Sequence, residues 1–416
     1  MMALAGTDNL NSRIVVAYLT FFFIALTLPC AFLYEKGARI LFYWSAVFSI
    51  VGIIIEKWNN IRFSLPDKKA IAFLLLGMLF SVWSFYASHH SPSATEFYFT
   101  PGKRCLLAFI MIAYIAHITK SGVIKPQVIK RLSYLSLIAA FFSASSYAIV
   151  QAVLSDDRVV MGINRATMSA YIYSVLSLVI MKLLVDRKKG TAAIMAFFGL
   201  ASLSLYVITL TQTRAAMIMH LVFILILFLQ IFSSTKGKTM HLLFAVAMLV
   251  TAALSHHVIV NRLEGTVTEY SAFTHGNDQT SLGSRFTLWK VGMLAFEQSP
   301  LGQTQETRNA FIKDYLSQHG NSHSWALLYI NVHLHNEFIQ YASLFGLAGV
   351  GGLLWFFSVF AFMEIKHNKS LTPLAIMGLL TLLYGMTDVL MTSVEYIVVF
   401  SVLTVLVSTL TAERDR

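Results

Sequence analysis

Residues 191–232 read "TAAIMAFFGLASLSLYVITLTQTRAAMIMHLVFILILFLQIF", two long apolar runs that a short polar turn at 211–214 separates. A transmembrane helix needs about 20 mostly apolar residues, and each run supplies nearly that many. The same pattern recurs along the chain, which is 57% hydrophobic and 12% charged. Soluble domains contain about 25% charged residues. The sequence therefore predicts an all-α polytopic membrane protein.

Twelve segments are long and apolar enough to be transmembrane helices. They are predicted at 14–34, 38–56, 70–88, 104–119, 132–153, 166–185, 191–210, 215–232, 242–260, 336–364, 373–390 and 395–412. The chain then divides into helices 1–9 (1–260), a large loop (261–335) and helices 10–12 (336–416). The first apolar run has no A-x-A cleavage site behind it, so we expect a retained helix and not a signal peptide.

Lysine and arginine are distributed unevenly between the two sides of these segments. With a cytoplasmic N-terminus, nineteen of the 31 lie on the cytoplasmic side and seven lie in the short external connections. Cytoplasmic connections normally carry this excess, so we expect both chain ends in the cytoplasm and the loop 261–335 outside. The net charge of +11 is read as this topology signal. Nucleic-acid binding is disfavoured, because no aromatic–basic motif accompanies the charge.

The loop 261–335 is long enough to fold and to carry function. Its stretch "SRFTLWKVGMLAFEQSPLG" (284–302) predicts an amphipathic helix that Pro300 ends. The apolar face is formed by Phe286, Trp289, Met293 and Phe296. The stretch "TRNAFIKDYLSQHG" (307–320) predicts a second short helix. The cytoplasmic connections are short and basic, so we expect chemistry at the outer face.

Two arginines suit an anionic substrate at the membrane edge. Arg214 stands in the outer turn between two apolar runs, where a guanidinium is costly and indicates function. The alternative is an arginine that snorkels from a helix end. Arg285 opens the predicted loop helix, where its charge opposes the helix dipole unless it faces an anion. No Walker A or dinucleotide motif occurs. The expected substrate is a lipid-linked diphosphate, which paired arginines bind through forked hydrogen bonds.

Residues 333–349, "HLHNEFIQYASLFGLAG", open predicted helix 10 with polar side chains. His335 is a candidate general base, because imidazole accepts a proton near pH 7; the alternative is a polar residue at an interfacial helix start. Asn336 could cap the helix or orient a sugar hydroxyl. Asp388, late in predicted helix 11, could pair with an arginine or bind a hydroxyl. Glu337 is expected to be less well placed to share the face of Asn336.

A metal centre is not expected. His319, His323 and His333 lie near His335 in the sequence, but His333 and His335 would share a face only in a strand. No carboxylate or cysteine completes a tetrahedral set. The two cysteines, Cys30 and Cys105, have no zinc-binding spacing and are expected to be buried apolar side chains.

Three stretches together resemble a known family. His-Asn, nine residues, Gly, two residues, Gly is similar to the signature of bacterial O-antigen ligases, with His335, Asn336, Gly346 and Gly349 in the motif positions. The stretch 284–302 resembles the R-x-x-L-W…P-x-x-G stretch of the O-antigen ligase/polymerase superfamily, and "TRAA" resembles its arginine turn. One departure is that the loop reads Pro-Leu-Gly-Gln-Thr where many relatives have Gly-x-Gly.

The resemblance implies a GT-C-like glycosyltransferase of the bacterial inner membrane, with its site facing the periplasm. Such an enzyme transfers O-antigen polysaccharide from undecaprenyl diphosphate to a sugar hydroxyl of the lipid A–core oligosaccharide. The reaction inverts the anomeric carbon and uses no metal or other cofactor. Arg214, Arg285 and His335 are implied to be essential, and Asp388 is implied less firmly. With these roles, Arg214, Arg285, Asn336 and Asp388 would bind substrate.

Two alternatives remain. A polymerase of O-antigen or a protein oligosaccharyltransferase of the same superfamily would differ in the acceptor, which the sequence does not identify. A secondary transporter is more distant, because transporters carry their charges at the bilayer midplane, whereas these charges cluster at the outer edge.

Overall fold

The computed structural model describes residues 2–90, 95–155, 157–187, 190–232 and 238–411. These residues form helices and connections, and no strand occurs among them. The first nine helices are α1 (Met2–Leu33), α2 (Glu35–Trp58), α3 (Lys68–His90), α4 (Thr95–Lys120), α5 (Pro126–Leu154), α6 (Ala166–Arg187), α7 (Thr191–Leu210), α8 (Arg214–Phe232) and α9 (Lys238–Leu254). The others are α10 (His256–Thr274), α11 (Ser281–Gln298), α12 (Gln305–Gln318), α13 (Ala326–Tyr329), α14 (Glu337–Phe357), α15 (Glu364–Asn368), α16 (Pro373–Gly385) and α17 (Val394–Thr411).

The helices agree with an all-α protein that crosses a membrane many times. Within the described ranges, nine helices are long and apolar enough to span a bilayer, and a bent pair formed by α9 and α10 raises the number to ten. Two shorter apolar helices, Arg214–Gln230 and Pro373–Gly385, coincide with predicted helices 8 and 11. The predicted all-α class is therefore confirmed, while the count of twelve spans, the periplasmic side of the loop and the GT-C-like type stay predictions.

The end of predicted helix 9 (242–260) is wrong. Helix α9 ends at Leu254, and α10 follows at a bend of 70°. Polar residues begin at this point, among them His257, Asn261 and Arg262, and such side chains are costly inside hydrocarbon. The first part of the predicted loop 261–335 is consequently helical.

Predicted helix 11 (373–390) is also too long. Helix α16 ends at Gly385, and residues 386–393 form turns before α17 begins. Asp388 therefore lies in a connecting segment and not in the last turn of a helix. The reason is tertiary, because side chains of the first turn of α14 bind the backbone of this segment, as described below.

The centre of the bundle is formed by α6 and α17. In their most apolar windows, 83% and 78% of the residues are buried within the protein. Helix α6 packs against α7, α8 and α16, and α17 packs against α1, α4 and α5. Helices in lipid are held by close packing and not by the hydrophobic effect. A set of edge-on and tilted phenylalanine contacts supplies part of that packing, from Phe73, Phe356, Phe360 and Phe400.

Helices α11–α13 form a small subdomain at one end of the bundle. The two predicted loop helices are confirmed as α11 and α12, and their first turns are capped by the side chains of Thr280 and Thr304. The subdomain has its own apolar core, formed by Leu288, Val291, Ile312, Leu316, Ala326, Ile330 and Leu334. This core attaches the subdomain to the start of α14.

The apolar face predicted for α11 is wrong in part. The buried side chains are Leu288, Val291 and Ala295, whereas Met293 is 41% exposed. Gly292 explains the rotation, because a Cβ atom there would lie 2.5 Å from Cγ2 of Ile339 in α14. The small residue lets the two helices approach, and the face that carries it turns inward.

Arg308 of α12 holds the subdomain to α14. Its side chain is fully buried and donates hydrogen bonds to Asn309 Oδ1, Gln340 Oε1 and the carbonyl of Ile330. Burial lowers the pKa of Arg308 to about 10, so the guanidinium remains charged at neutral pH. Oxygen acceptors on three elements replace its hydration shell.

Gly346, one of the two motif glycines, lies where the loop crosses α14. Its φ is +60°, and a Cβ atom would overlap the carbonyl oxygen of Pro300. Leu347 N donates to Pro300 O at 2.9 Å, and Gln303 N donates to Leu344 O at 2.8 Å. The glycine therefore permits a backbone crossing that fixes the loop after α11 onto α14.

Replacing Gly346 by alanine is expected to lower the thermal unfolding midpoint of the detergent-solubilised protein. A left-handed conformation costs a residue other than glycine about 1–3 kcal/mol, and the overlap with Pro300 adds to this. Gly351→Ala in the same helix is the matched control, because a Cβ atom there meets nothing within 4 Å. Equal midpoints for the two variants would contradict this role of Gly346.

Candidate functional site

His335 lies at the junction of the subdomain and α14, in an unusual backbone conformation. Its φ is +52°, which is uncommon for a residue other than glycine. Trp289 Nε1 of α11 donates to the His335 carbonyl at 3.1 Å, and the ring of Tyr329 stands edge-on to the imidazole at 5.1 Å. Side chains from α11 and α13 thus hold the turn that presents His335.

Asp388 is the nearest carboxylate to His335. Its Oδ1 lies 3.5 Å from His335 Nδ1 and accepts a hydrogen bond from Val389 N at 2.9 Å. Burial raises the pKa of Asp388, but the contact with His335 and the electrostatic effects of the neighbouring histidines and Arg285 outweigh it and bring the pKa to about 2. Asp388 is therefore ionised at neutral pH and can accept a hydrogen bond from Nδ1 of His335.

His333 faces the same carboxylate. Its Nε2 lies 3.7 Å from Asp388 Oδ1, and its ring lies 4.3 Å from that of His335. Burial lowers the pKa of His333 to about 4, against the opposing charge of Asp388. His333 is consequently uncharged at neutral pH.

These three side chains could hold a divalent cation. One ligand atom from each of His333, His335 and Asp388 lies within 4.8 Å of the others, and Zn²⁺ binds this type of ligand. The carboxylate was not expected from the sequence, because Asp388 comes from a distant segment. The two histidines were expected to share a face only in a strand, but outside any strand both lie near Asp388.

Asn336 caps α14, as predicted. Its Oδ1 accepts a hydrogen bond from Ile339 N at 3.1 Å. Its Nδ2 donates to the carbonyl of Met386 at 3.0 Å. The same side chain therefore caps the start of α14 and holds the segment that carries Asp388.

Glu337 is better placed than the sequence indicated. Its carboxylate is fully buried and accepts hydrogen bonds from Leu390 N and, at 3.1 Å, from Met391 N. It therefore holds the other end of the Asp388 segment. An acidic residue in the first turn of a helix is a recognisable signal, but its distant partners are not visible in the sequence.

Arg214 begins α8 and is held by a carboxylate. Its two terminal nitrogens both donate to Glu269 of α10. Glu269 also accepts a hydrogen bond from Leu282 N at 2.9 Å, at the start of α11. The buried Nε of Arg214 has no partner among the described residues. Arg214 does not contact His335, Asn336 or Asp388 within this part of the chain.

Two further arginines bind the turn that precedes Arg214. Arg158 donates to Thr211 O at 3.1 Å and to Thr213 Oγ1 at 3.3 Å. Arg262 donates to the side-chain oxygen of Gln212. Neither arginine was predicted as a site residue from the sequence. Only the fold brings them to one turn.

Positive charge therefore accumulates beside this turn. Burial and the charges of Arg262, Arg285 and Arg214 together lower the pKa of Arg158. Arg285 forms no hydrogen bond or ion pair with any described residue, and its charge acts both on Arg158 and on Asp388. Arg285 thus connects the arginine cluster (Arg158, Arg214, Arg262 and Arg285) electrostatically with the His335–Asp388 pair.

An apolar groove of about 950 Å³ runs along α8 and the bent pair α9–α10. Arg214 and Arg262 line the end near the turn, and Phe228 and His241 line the part near the opposite ends of α8 and α9. Apolar side chains such as Leu221 lie between them. The groove is suited to a long hydrocarbon chain whose anionic head lies against arginine.

Comparison with known proteins shows a similarity to O-antigen ligases. Residues 199–356 match the family model described as O-antigen ligase, a segment that contains Arg214, Arg285, His335 and both motif glycines. Over 412 residues the chain is 25% identical to the O-antigen ligase of Escherichia coli (strain K12). The aligned region covers 96% of this chain and 95% of that protein. The similarity thus extends beyond the matched segment. The chain is therefore similar to O-antigen ligases over nearly its whole length.

Proposed function

We propose that this protein transfers O-antigen polysaccharide from undecaprenyl diphosphate to a sugar hydroxyl of the lipid A–core oligosaccharide. The reaction takes place at the periplasmic face of the bacterial inner membrane. The observation that carries the proposal is an apolar groove that ends at two members of the arginine cluster, Arg214 and Arg262, while a third member, Arg285, acts electrostatically on Asp388. The similarity to O-antigen ligases supports the same class of reaction.

The donor lipid occupies the groove in this proposal. Its isoprenoid chain lies along α8 and α9, and its diphosphate meets the arginine cluster. Glu269 neutralises one guanidinium through its ion pair with Arg214, which leaves the excess positive charge for the diphosphate. Arg285 has no such partner among the described residues, so its forked donors are available to a phosphate oxygen.

The acceptor hydroxyl is activated by His335. Asp388 accepts the hydrogen bond from Nδ1–H, which leaves Nε2 to take the proton of the hydroxyl. The hydroxyl oxygen forms a bond to the anomeric carbon as the bond from that carbon to the diphosphate breaks. The leaving undecaprenyl diphosphate takes the electron pair, and the configuration at the anomeric carbon inverts.

Positive charge from arginine stabilises this leaving group. Donors aimed at the charge that develops in a transition state are each worth roughly 3 kcal/mol. The arginine cluster provides such donors without a metal ion, and the proposed reaction therefore needs no metal.

The function is tested by transfer with purified components. The protein is mixed with undecaprenyl-diphosphate-linked glycan and rough lipopolysaccharide, and the products are separated by electrophoresis. Glycan attached to lipopolysaccharide is the expected result. Elongation of the lipid-linked glycan alone would indicate a polymerase, and glycan on an added acceptor protein would indicate an oligosaccharyltransferase. Either of these results, or no transfer at all, would overturn the proposal.

Transfer is expected to proceed at the same rate in EDTA. The reason is that the charge on the leaving group is met by arginine side chains. The control contains EDTA that has been saturated with calcium, which separates chelation from effects of the reagent on the membrane lipids. A rate that falls in EDTA and recovers on addition of a divalent cation would instead assign a catalytic cation to His333, His335 and Asp388.

A further inference from the structure

We propose that Glu337 is a positioning residue for the transfer reaction. Its buried carboxylate holds the backbone of residues 386–391, so that Asp388 stays within reach of His335. The effect on transfer rests on the proposed function, but the effect on the backbone does not. None of the sequence motifs assigns this role to Glu337.

The segment after α16 needs an acceptor for its backbone. Leu390 and Met391 are fully buried and lie outside any helix. A buried N–H group without a partner costs free energy comparable to a lost hydrogen bond. Glu337 accepts from both N–H groups, and so it stabilises a stretch whose backbone is not hydrogen-bonded as a helix.

The Met386 end of the segment is held by Asn336, the residue before Glu337. Asn336 donates to the carbonyl of Met386 at 3.0 Å, and Tyr341, one turn further along α14, donates to the carbonyl of Met391 at 3.4 Å. Asp388 lies between these attachment points. Since His335 directly precedes Asn336, both members of the His335–Asp388 pair are fixed to the first turn of one helix.

The site of Glu337 favours a side chain whose oxygens accept hydrogen bonds. The residue is fully buried, and its carboxyl oxygens face the N–H groups of Leu390 and Met391. A Cβ atom on Gly385 would lie 3.2 Å from the Glu337 Cβ, so the surroundings are close-packed. A glutamine would bring an N–H₂ group into a place that already contains donors.

The first experiment measures the backbone directly. Amide hydrogen exchange of the full chain in detergent is compared for the wild type, Glu337→Ala and Glu337→Gln. We expect exchange at Leu390 and Met391 to be at least about tenfold faster in Glu337→Ala, with a smaller increase in Glu337→Gln. The matched control is Glu395→Gln, a buried carboxylate of α17 whose partners are Ser393 Oγ and Arg39. Unchanged exchange at Leu390 and Met391 in both Glu337 variants would overturn the proposal.

The second experiment asks whether the effect on transfer runs through Asp388. Displacement of a catalytic group by about 1 Å can cost roughly 100-fold in rate, so Glu337→Ala is expected to lower kcat by about that factor. Combined with Asp388→Asn, it should lower kcat no further than about twofold below Asp388→Asn alone. Losses that multiply in the double variant would show an independent role and overturn the proposal. Should Glu337→Ala not fold, Glu337→Gln enters the same cycle with the shape of the side chain retained.

The two experiments separate this proposal from the proposed function. If the wild type transfers glycan to no acceptor, the proposed function fails, and hydrogen exchange still decides whether Glu337 holds the segment. If transfer occurs and exchange does not respond to Glu337, only the positioning role fails.

Discussion

Replacement of His335 by alanine is expected to lower the rate of transfer to lipopolysaccharide by about 10²–10⁴-fold, the usual contribution of a general base. The imidazole is the group that takes the acceptor proton, and Asp388 at 3.5 Å from its Nδ1 sets which nitrogen remains available. The measurement is the initial rate with purified components, at an acceptor concentration that saturates the wild type. Binding of the donor lipid should change little, because His335 does not line the groove.

His323→Ala is the matched control for this variant. His323 is an exposed histidine of the same subdomain, and among the described residues its only hydrogen bond is from Gln279 to its backbone carbonyl. We expect this variant to transfer at the wild-type rate. Near-full activity of His335→Ala would disprove the assignment of the base, and equal losses in the two variants would point to damage to the subdomain.

Replacement of Arg285 by alanine is expected to lower kcat by about 10²–10³-fold, the scale for loss of one donor to a developing charge. Arg285 is the member of the arginine cluster whose charge acts both on Arg158 and on Asp388. Arg285→Lys keeps the charge but lacks the planar fork, and so it should restore only part of the rate. Rates are measured at several donor concentrations, in order to separate binding of the diphosphate from stabilisation of the leaving group.

Lys290→Ala provides the control for charge in the same helix. Lys290 is an exposed cation of α11, one to two turns from Arg285, and its loss should leave kcat unchanged. If Arg285→Ala and Lys290→Ala lowered the rate equally, a general effect of positive charge would replace the specific role of Arg285.

Local signals in the sequence were sufficient for part of the site. The cap at Asn336 and the two helices of the subdomain follow from short-range rules on side-chain acceptors and periodicity, and the structure contains them. The same rules overextended α16, because apolar composition continues past Gly385 while the backbone turns. Side chains of α14 decide where that helix ends, and no local rule includes them.

The largest omissions concern charge. Arg158 lies far in the chain from Arg262 and Glu269, which share α10, and each by itself looks like an ordinary polar residue. Their significance comes from hydrogen bonds to the turn 211–214 and to Arg214. The dismissal of Glu337 was an error of the same kind, since a helical face defines neighbours in one helix and not in the next.

The sequence by itself determined that this protein is a bundle of membrane helices, because in hydrocarbon a chain must satisfy its own backbone and a helix does so locally. It also marked the residues of the motif, since these are close together in the chain. Only the tertiary structure decided that Asp388 lies near His335, that Glu337 holds the segment that carries Asp388, and that arginines line the end of an apolar groove. Those contacts join residues far apart in sequence, and they depend on how the helices pack rather than on the composition of any one of them.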